Sequence, residues 1–173
     1  MRILSIISLL GILWACDSEP RVLEKIDLTP AKLAYDANPE DTTLAKAYSV
    51  QLEKAAKQDL ADSLAPYHLL KSAFILRSIP GYSLESINKF KEVGKRFPEH
   101  SVAAEASFQI AFTWDEFIGN KAEAMKSYED FILNNPTHPL RQTAEEMVFL
   151  LKLADNPQDL IERLRQTNTE SKE

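Results

Sequence analysis

Residues Ala104–Pro136 read AEASFQIAFTWDEFIGNKAEAMKSYEDFILNNP, and their pattern decides the fold class. Ala106, Phe108, Ile110, Ala111 and Trp114 fall at spacings that make one apolar stripe along a helix. Ala124, Met125, Tyr128, Phe131 and Ile132 make a second. Between them, Gly119 suits the left-handed conformation that ends a helix, because it has no Cβ to clash. Asn120 can cap the next helix, with Glu123 three residues on reaching back. Pro136 marks the second helix's end. The stretch therefore predicts two helices folded back on each other at Ile118-Gly119-Asn120. Such a pair cannot cover both of its apolar faces, so something must stack on it.

The chain repeats the pattern. A shift of 38 residues lays Gly81 on Gly119, Phe90 on Tyr128, Val93 on Phe131, Pro98 on Pro136 and His100 on His138. It also lays Ser63-Leu64-Ala65 on Ser101-Val102-Ala103, Ala73-Phe74 on Ala111-Phe112, and Ala106 on Ala144. A helix-and-turn period of this length is the mark of a stacked solenoid. The run Ala106, Phe108, Ile110, Ala111, Trp114, then Gly119, Ala124, Tyr128 and Pro136, resembles the tetratricopeptide repeat (TPR). In that family the small pair, here Ala111 and Ala124, lets two helices approach closely. Two departures stand out: one extra residue between Trp114 and Gly119, and Phe149 where a further unit should be small. The expected fold is all-α, with antiparallel helical hairpins stacked as a short, right-handed, TPR-like solenoid.

Composition fits this class. Hydrophobic residues make up 45% and charged residues 27%, the balance of a globular chain. Four glycines and few β-branched runs argue against a sheet. A net charge of −6 argues against nucleic-acid binding, which needs a concentrated basic surface. A single cysteine excludes an internal disulfide and a Cys-rich zinc site.

The N-terminus reads MRILSIISLLGILWAC. Arg2 precedes the apolar run Ile3–Trp14, which is short for a bilayer span but right for the core of a secretory leader. Leu13-Trp14-Ala15-Cys16 resembles the bacterial lipobox. That resemblance implies cleavage before Cys16, a signal peptide at 1–15, and a diacylglyceryl group on the Cys16 sulfur. Several acyl chains on one cysteine make a lasting membrane anchor. Residues 16–38 then read as the lipidated cysteine and a flexible tether, reaching about 25 Å as coil, with a short helical turn at Ala31–Tyr35.

The helical domain is expected over 39–166. Asn38-Pro39-Glu40-Asp41 starts a helix running to Gln58, with Leu44, Ala47, Tyr48, Leu52 and Ala55 inward. Ser63–Ile79 follows, closed by Pro80-Gly81. Ser83–Phe97 packs back on it through Leu84, Ile87, Phe90 and Val93. Beyond the central pair, His138-Pro139 starts a helix to Leu153 that turns Ala144, Met147, Val148, Leu150 and Leu151 inward. A last short helix is expected from Asn156 to Arg165, and a frayed tail over 167–173.

No catalytic constellation stands out. His68, His100 and His138 lack a partner ligand at helical spacing, so no metal site is expected. His100 and His138 occupy equivalent places at helix starts, which a turn or capping role explains. The adjacent acids Asp115-Glu116 and Glu145-Glu146 read as a solvated face. No nucleophile elbow, phosphate loop or dinucleotide fingerprint occurs. The expectation is a protein without enzyme activity, cofactor or small-molecule substrate.

What remains is surface. The TPR resemblance implies a concave groove lined by the first helix of each unit. Carried on to this chain, it gives Tyr67, Lys71, Phe74 and Arg77 from one unit and Gln109, Phe112, Asp115 and Glu116 from the next. Aromatic and arginine anchors suit a protein interface; the plainer alternative makes Phe74 and Phe112 core residues. The chain is similar to the TPR lipoproteins of outer-membrane β-barrel assembly, with Phe97-Pro98 and Asn135-Pro136 at its unit ends. This implies a scaffold or adaptor for envelope proteins, lipid-anchored in the bacterial envelope at the outer membrane. The alternatives are an accessory of cell division or peptidoglycan synthesis, and a structural envelope lipoprotein without a client.

Overall fold

The computed structural model describes residues 24–156 and 158. Among them the chain is all-α, with no strand. The helices are α1 (Thr29–Ala37), α2 (Thr42–Gln58), α3 (Ala65–Ser78), α4 (Ser83–Arg96), α5 (Ser101–Phe112), α6 (Lys121–Asn134) and α7 (Arg141–Asp155), with a π-helical turn at Thr113–Ile118 that prolongs α5. Each helix packs on its neighbours in chain order, and α3 also touches α5. The expected lipidation site at Cys16, the expected leader, the helix expected from Asn156 to Arg165 and the expected frayed tail lie outside the described residues.

Three apolar clusters run along the chain. Ala45, Tyr48, Leu52, Ile75, Leu76 and Ile79 join α2 to α3, with Leu28, Ala31 and Tyr35 packed on them from the N-terminal side. Phe90 and Val93 of α4 meet Leu69 and Ala73 of α3 and Ala106 of α5. Tyr128 and Phe131 of α6 meet Phe108 and Ala111 of α5 and Ala144 and Val148 of α7. Full burial of a side chain such as Phe90 or Phe131 contributes about 1.5–3 kcal/mol. Val93 and Phe131, paired by the 38-residue shift, are both fully buried in the equivalent cluster of their own helix pair.

The correspondence extends to the turns. Phe97 N–H donates to Val93 O, and Asn135 N–H to Phe131 O, both at 2.9 Å. His100 N–H then donates to Phe97 O at 3.0 Å, and His138 N–H to Asn135 O at 3.1 Å. The His100 ring accepts from Val102 N–H through Nδ1, and the His138 ring accepts from Leu140 N–H in the same way, each at 3.2 Å. Both histidines are turn caps. Gly81 and Gly119 carry φ of 83° and 74°, the left-handed values that only glycine adopts at little cost.

The extra residue after Trp114 takes the form of the π-helical turn. Its Gly119 N–H closes on Trp114 O, five residues back, where an α-helix would close on the fourth. One added residue turns everything beyond it by about 100°. Phe149 also has a structural consequence: Ala73 and Ala111 are fully buried, whereas Phe149, at the next 38-residue step, is 48% exposed. The small-residue pattern stops at α7.

Several expectations need correction. Asp41, not Asn38, caps α2, accepting from Thr43 and Leu44 N–H at 2.8 and 3.1 Å; the acid is one residue from the helix start and wins the cap. Ala47 is exposed, and α2 instead buries Ala45, Tyr48, Ser49, Leu52 and Ala56. The reason is a close approach to α3, where Ser49 Oγ and Ser72 Oγ lie 2.9 Å apart and satisfy each other inside the core. Leu84 and Leu150 are exposed rather than inward. Finally, residues 24–38 of the expected tether lie on the domain: α1 packs on α2, Gln58 Nε2 donates to Glu24 O at 2.6 Å, and Lys25 pairs with Asp62 at 2.7 Å.

Candidate partner-binding surface

The surface where α3 meets α5 brings together half of the eight groove residues expected from the sequence. Phe74 and Arg77 come from the last turns of α3, Gln109 and Phe112 from the end of α5. Arg77 Nη1 donates to Gln109 Oε1 at 2.5 Å. Its guanidinium carbon lies 5.0 Å from the Phe74 ring centre, 5.3 Å from that of Phe112 and 5.8 Å from that of Phe90. A fourth ring, Phe117, sits 4.8 Å away. Cation–π contacts of this kind contribute from about 0.5 to 2 kcal/mol each as the site dries. Burial holds the pKa of Arg77 below the ordinary guanidinium value, but a guanidinium remains charged throughout the working range.

Phe74 and Phe112 are neither wholly core nor free. Phe74 stands edge-on to Phe90 at 5.3 Å and packs on the α3–α4 cluster. Phe112 packs on the α5–α6 cluster and stands edge-on to Phe117 at 6.1 Å. Each shows part of its ring. Phe117 is 45% exposed, and the π-helical turn carries it: without the added residue its ring would lie elsewhere on the helix. Phe90 and Phe117 were not among the residues expected here. The extra residue after Trp114 is the available signal for Phe117; the spacing of Phe90 points only to the hairpin core.

The other four residues diverge. Tyr67 is 49% exposed, edge-on to His100 at 5.1 Å. Lys71 leans towards α2, with Nζ 5.2 Å from the Tyr48 ring. Asp115 turns to α6, where it affects the buried Tyr128 hydroxyl. Burial, then the adjacent Glu116 charge, raises the Asp115 carboxyl above the usual carboxylate range. Burial, then Asp115 and Glu116, pushes the Tyr128 hydroxyl up as well. Glu116 is exposed.

Elsewhere, a chain of ion pairs ties α2 to α4: Glu53 holds Lys57 and Lys89, each at 2.5 Å, and Glu92 holds Arg96 at 2.7 Å. A separate depression between α5 and α6, about 270 Å³, is lined by Ile110, Trp114, Glu123 and Asp130. Among the described residues no three metal-capable side chains converge, and no helix is long and apolar enough to cross a membrane. No protein-family model matches this chain, and no curated protein or solved structure matches it either.

Proposed function

We propose that this chain is a non-enzymatic, TPR-like adaptor, anchored through lipidated Cys16 in a bacterial envelope, that binds a protein segment across α3 and α5. In this reading α3–α4 and α5–α6 are two antiparallel units stacked as a short solenoid, and α7 begins an incomplete third. The 38-residue match of buried residues, turn hydrogen bonds and left-handed glycines supports the repeat. The lipid anchor rests on the Leu13-Trp14-Ala15-Cys16 sequence, and a role beside outer-membrane protein assembly rests on the TPR-lipoprotein resemblance.

One observation carries the binding role. Helices α3 and α5 are not consecutive, yet they touch and hold Phe74, Arg77, Gln109 and Phe112 in one half-open cluster. Arginine and aromatic anchors dominate the energetics of protein interfaces. The test is a pull-down from detergent-solubilised membranes with the Phe112→Glu variant. Loss of partner with the helical content and melting profile retained supports the proposal. Retention of every partner by the folded variant refutes it. Loss of Cys16-dependent palmitate labelling in Cys16→Ala tests the anchor separately.

A further inference from the structure

We infer that the α3–α5 surface selects acidic segments, with a side-chain carboxylate of the partner seated on the guanidinium of Arg77. The inference rests on the binding role proposed above and adds the chemistry of the partner.

An arginine has five N–H donors in a fixed fork. Among the described residues Arg77 has a single protein acceptor in place, Gln109 Oε1. Its Nε is buried and has no acceptor among the described residues. Among the described residues no carboxylate pairs with it, although acids outnumber bases in the chain as a whole, 26 to 20. Helix α3 carries Lys71 and Arg77 and not one Asp or Glu. A half-buried cation normally has its counter-ion or its full set of acceptors, because desolvating it otherwise goes uncompensated.

The rings explain how the charge is tolerated without a partner. Four phenylalanines surround it at 4.8–5.8 Å and offer their π-faces, but a ring accepts no strong hydrogen bond. The fork is thus held in place with Nη1 on Gln109 and Nε covered, while Nη2 has no protein acceptor among the described residues and is left at the open edge. A carboxylate is the planar, two-oxygen anion that fits it. The exposed part of Phe117 and the half-exposed Phe74 and Phe112 flank the fork and would meet apolar residues beside the acid, which favours an acidic side chain within a peptide over a small free anion. The π-helical turn that delivers Phe117 is a second, independent pointer, since such turns cluster at functional sites.

The test uses the full chain in detergent and short immobilised peptides with blocked ends, in pairs that differ only by Glu or Gln between apolar residues. The expected result is binding at least about tenfold tighter to the Glu members, as for a desolvated charge pair, and no preference in Arg77→Met. Equal binding of Glu and Gln members, or a preference that survives Arg77→Met, overturns the inference and leaves the binding role standing. A requirement for a free chain terminus overturns the assignment to a side chain. Absence of binding to every peptide overturns both readings. Should Arg77→Met unfold, the Arg77 Nε–H resonance of the unaltered protein decides: it shifts with the Glu peptide and not with its Gln partner, and an unmoved resonance overturns the inference.

Discussion

Replacing Tyr128 by phenylalanine should stabilise this protein, against the usual outcome of a core substitution. Tyr128 is fully buried, its ring 5.6 Å from that of Phe108, and among the described residues its hydroxyl has no hydrogen-bond partner. A buried polar group left unsatisfied costs about 1–3 kcal/mol. Removing the oxygen leaves the ring and its packing in place, and the 38-residue counterpart, Phe90, already has this side chain in a fully buried setting. The expected gain for Tyr128→Phe is about 1–2 kcal/mol. For a domain of this size each kcal/mol moves the melting midpoint by about 3–5 °C. Calorimetry or urea unfolding reads the difference directly. A midpoint that falls would refute the reasoning, because it would mean the hydroxyl donates to Asp115 and stabilises the α6 contact. The Asp115 carboxyl gives a check of opposite kind. Its folded pKa is raised by burial and Glu116, so its contribution is fully present below the unfolded pKa and is lost as pH rises through the folded one. Asp115→Asn should therefore be the more stable protein at neutral pH, by about a few tenths of a kcal/mol for a partly exposed charge. That advantage should vanish in acid.

Other outcomes follow from the same structure. Gly119→Ala should destabilise by about 1 kcal/mol, since φ is 74° and the strain is purely backbone; Gly94→Ala, in the interior of α4 with nothing within 4 Å of a new Cβ, should stabilise by about 0.5–1 kcal/mol. The two melts in one buffer check both, and a shared sign contradicts the helix assignment. Glu53→Gln should cost about 1 kcal/mol at neutral pH. Burial alone would raise the Glu53 carboxyl, but hydrogen bonds from Lys57 and Lys89 outweigh it and hold the pKa low. The stability it contributes is present above the unfolded pKa and lost as pH falls through the folded one, so variant and parent should converge as pH falls through that lowered folded pKa in a pH series of urea unfolding curves.

Much of the architecture was written in local signals. Gly119 and Asn120 announced the central turn because a left-handed cap and a side-chain cap are properties of single residues. His100 and His138 were legible as turn residues from their equivalent places. The extra residue after Trp114 was visible as a mismatch, though its form, a π-helical turn, depends on what α4, α5 and α6 press against it. What sequence spacing could not give was the partner of each face. Ala47 lies on an apolar stripe yet is exposed, because the Ser49–Ser72 pair lets α2 turn a different face to α3. Residues 24–28 have too few apolar positions to predict docking, and their attachment is made by distant groups, Gln58 and Asp62. The Arg77 cluster was half legible: its four members on α3 and α5 are among the residues that the TPR resemblance implies, whereas the rings of Phe90 and Phe117 reach it from α4 and from the π-helical turn.

The central claim, that α3 and α5 together form a surface for a protein segment, is tested most directly by site-specific photo-crosslinking in cells. A benzophenone side chain is placed in turn at Phe74, Phe112 and Phe117, and at the exposed Ala47 and Leu133 as controls. One shared adduct is expected from the three α3–α5 positions and none from the controls. Adducts from Ala47 or Leu133 alone, with the three α3–α5 positions silent, would contradict it.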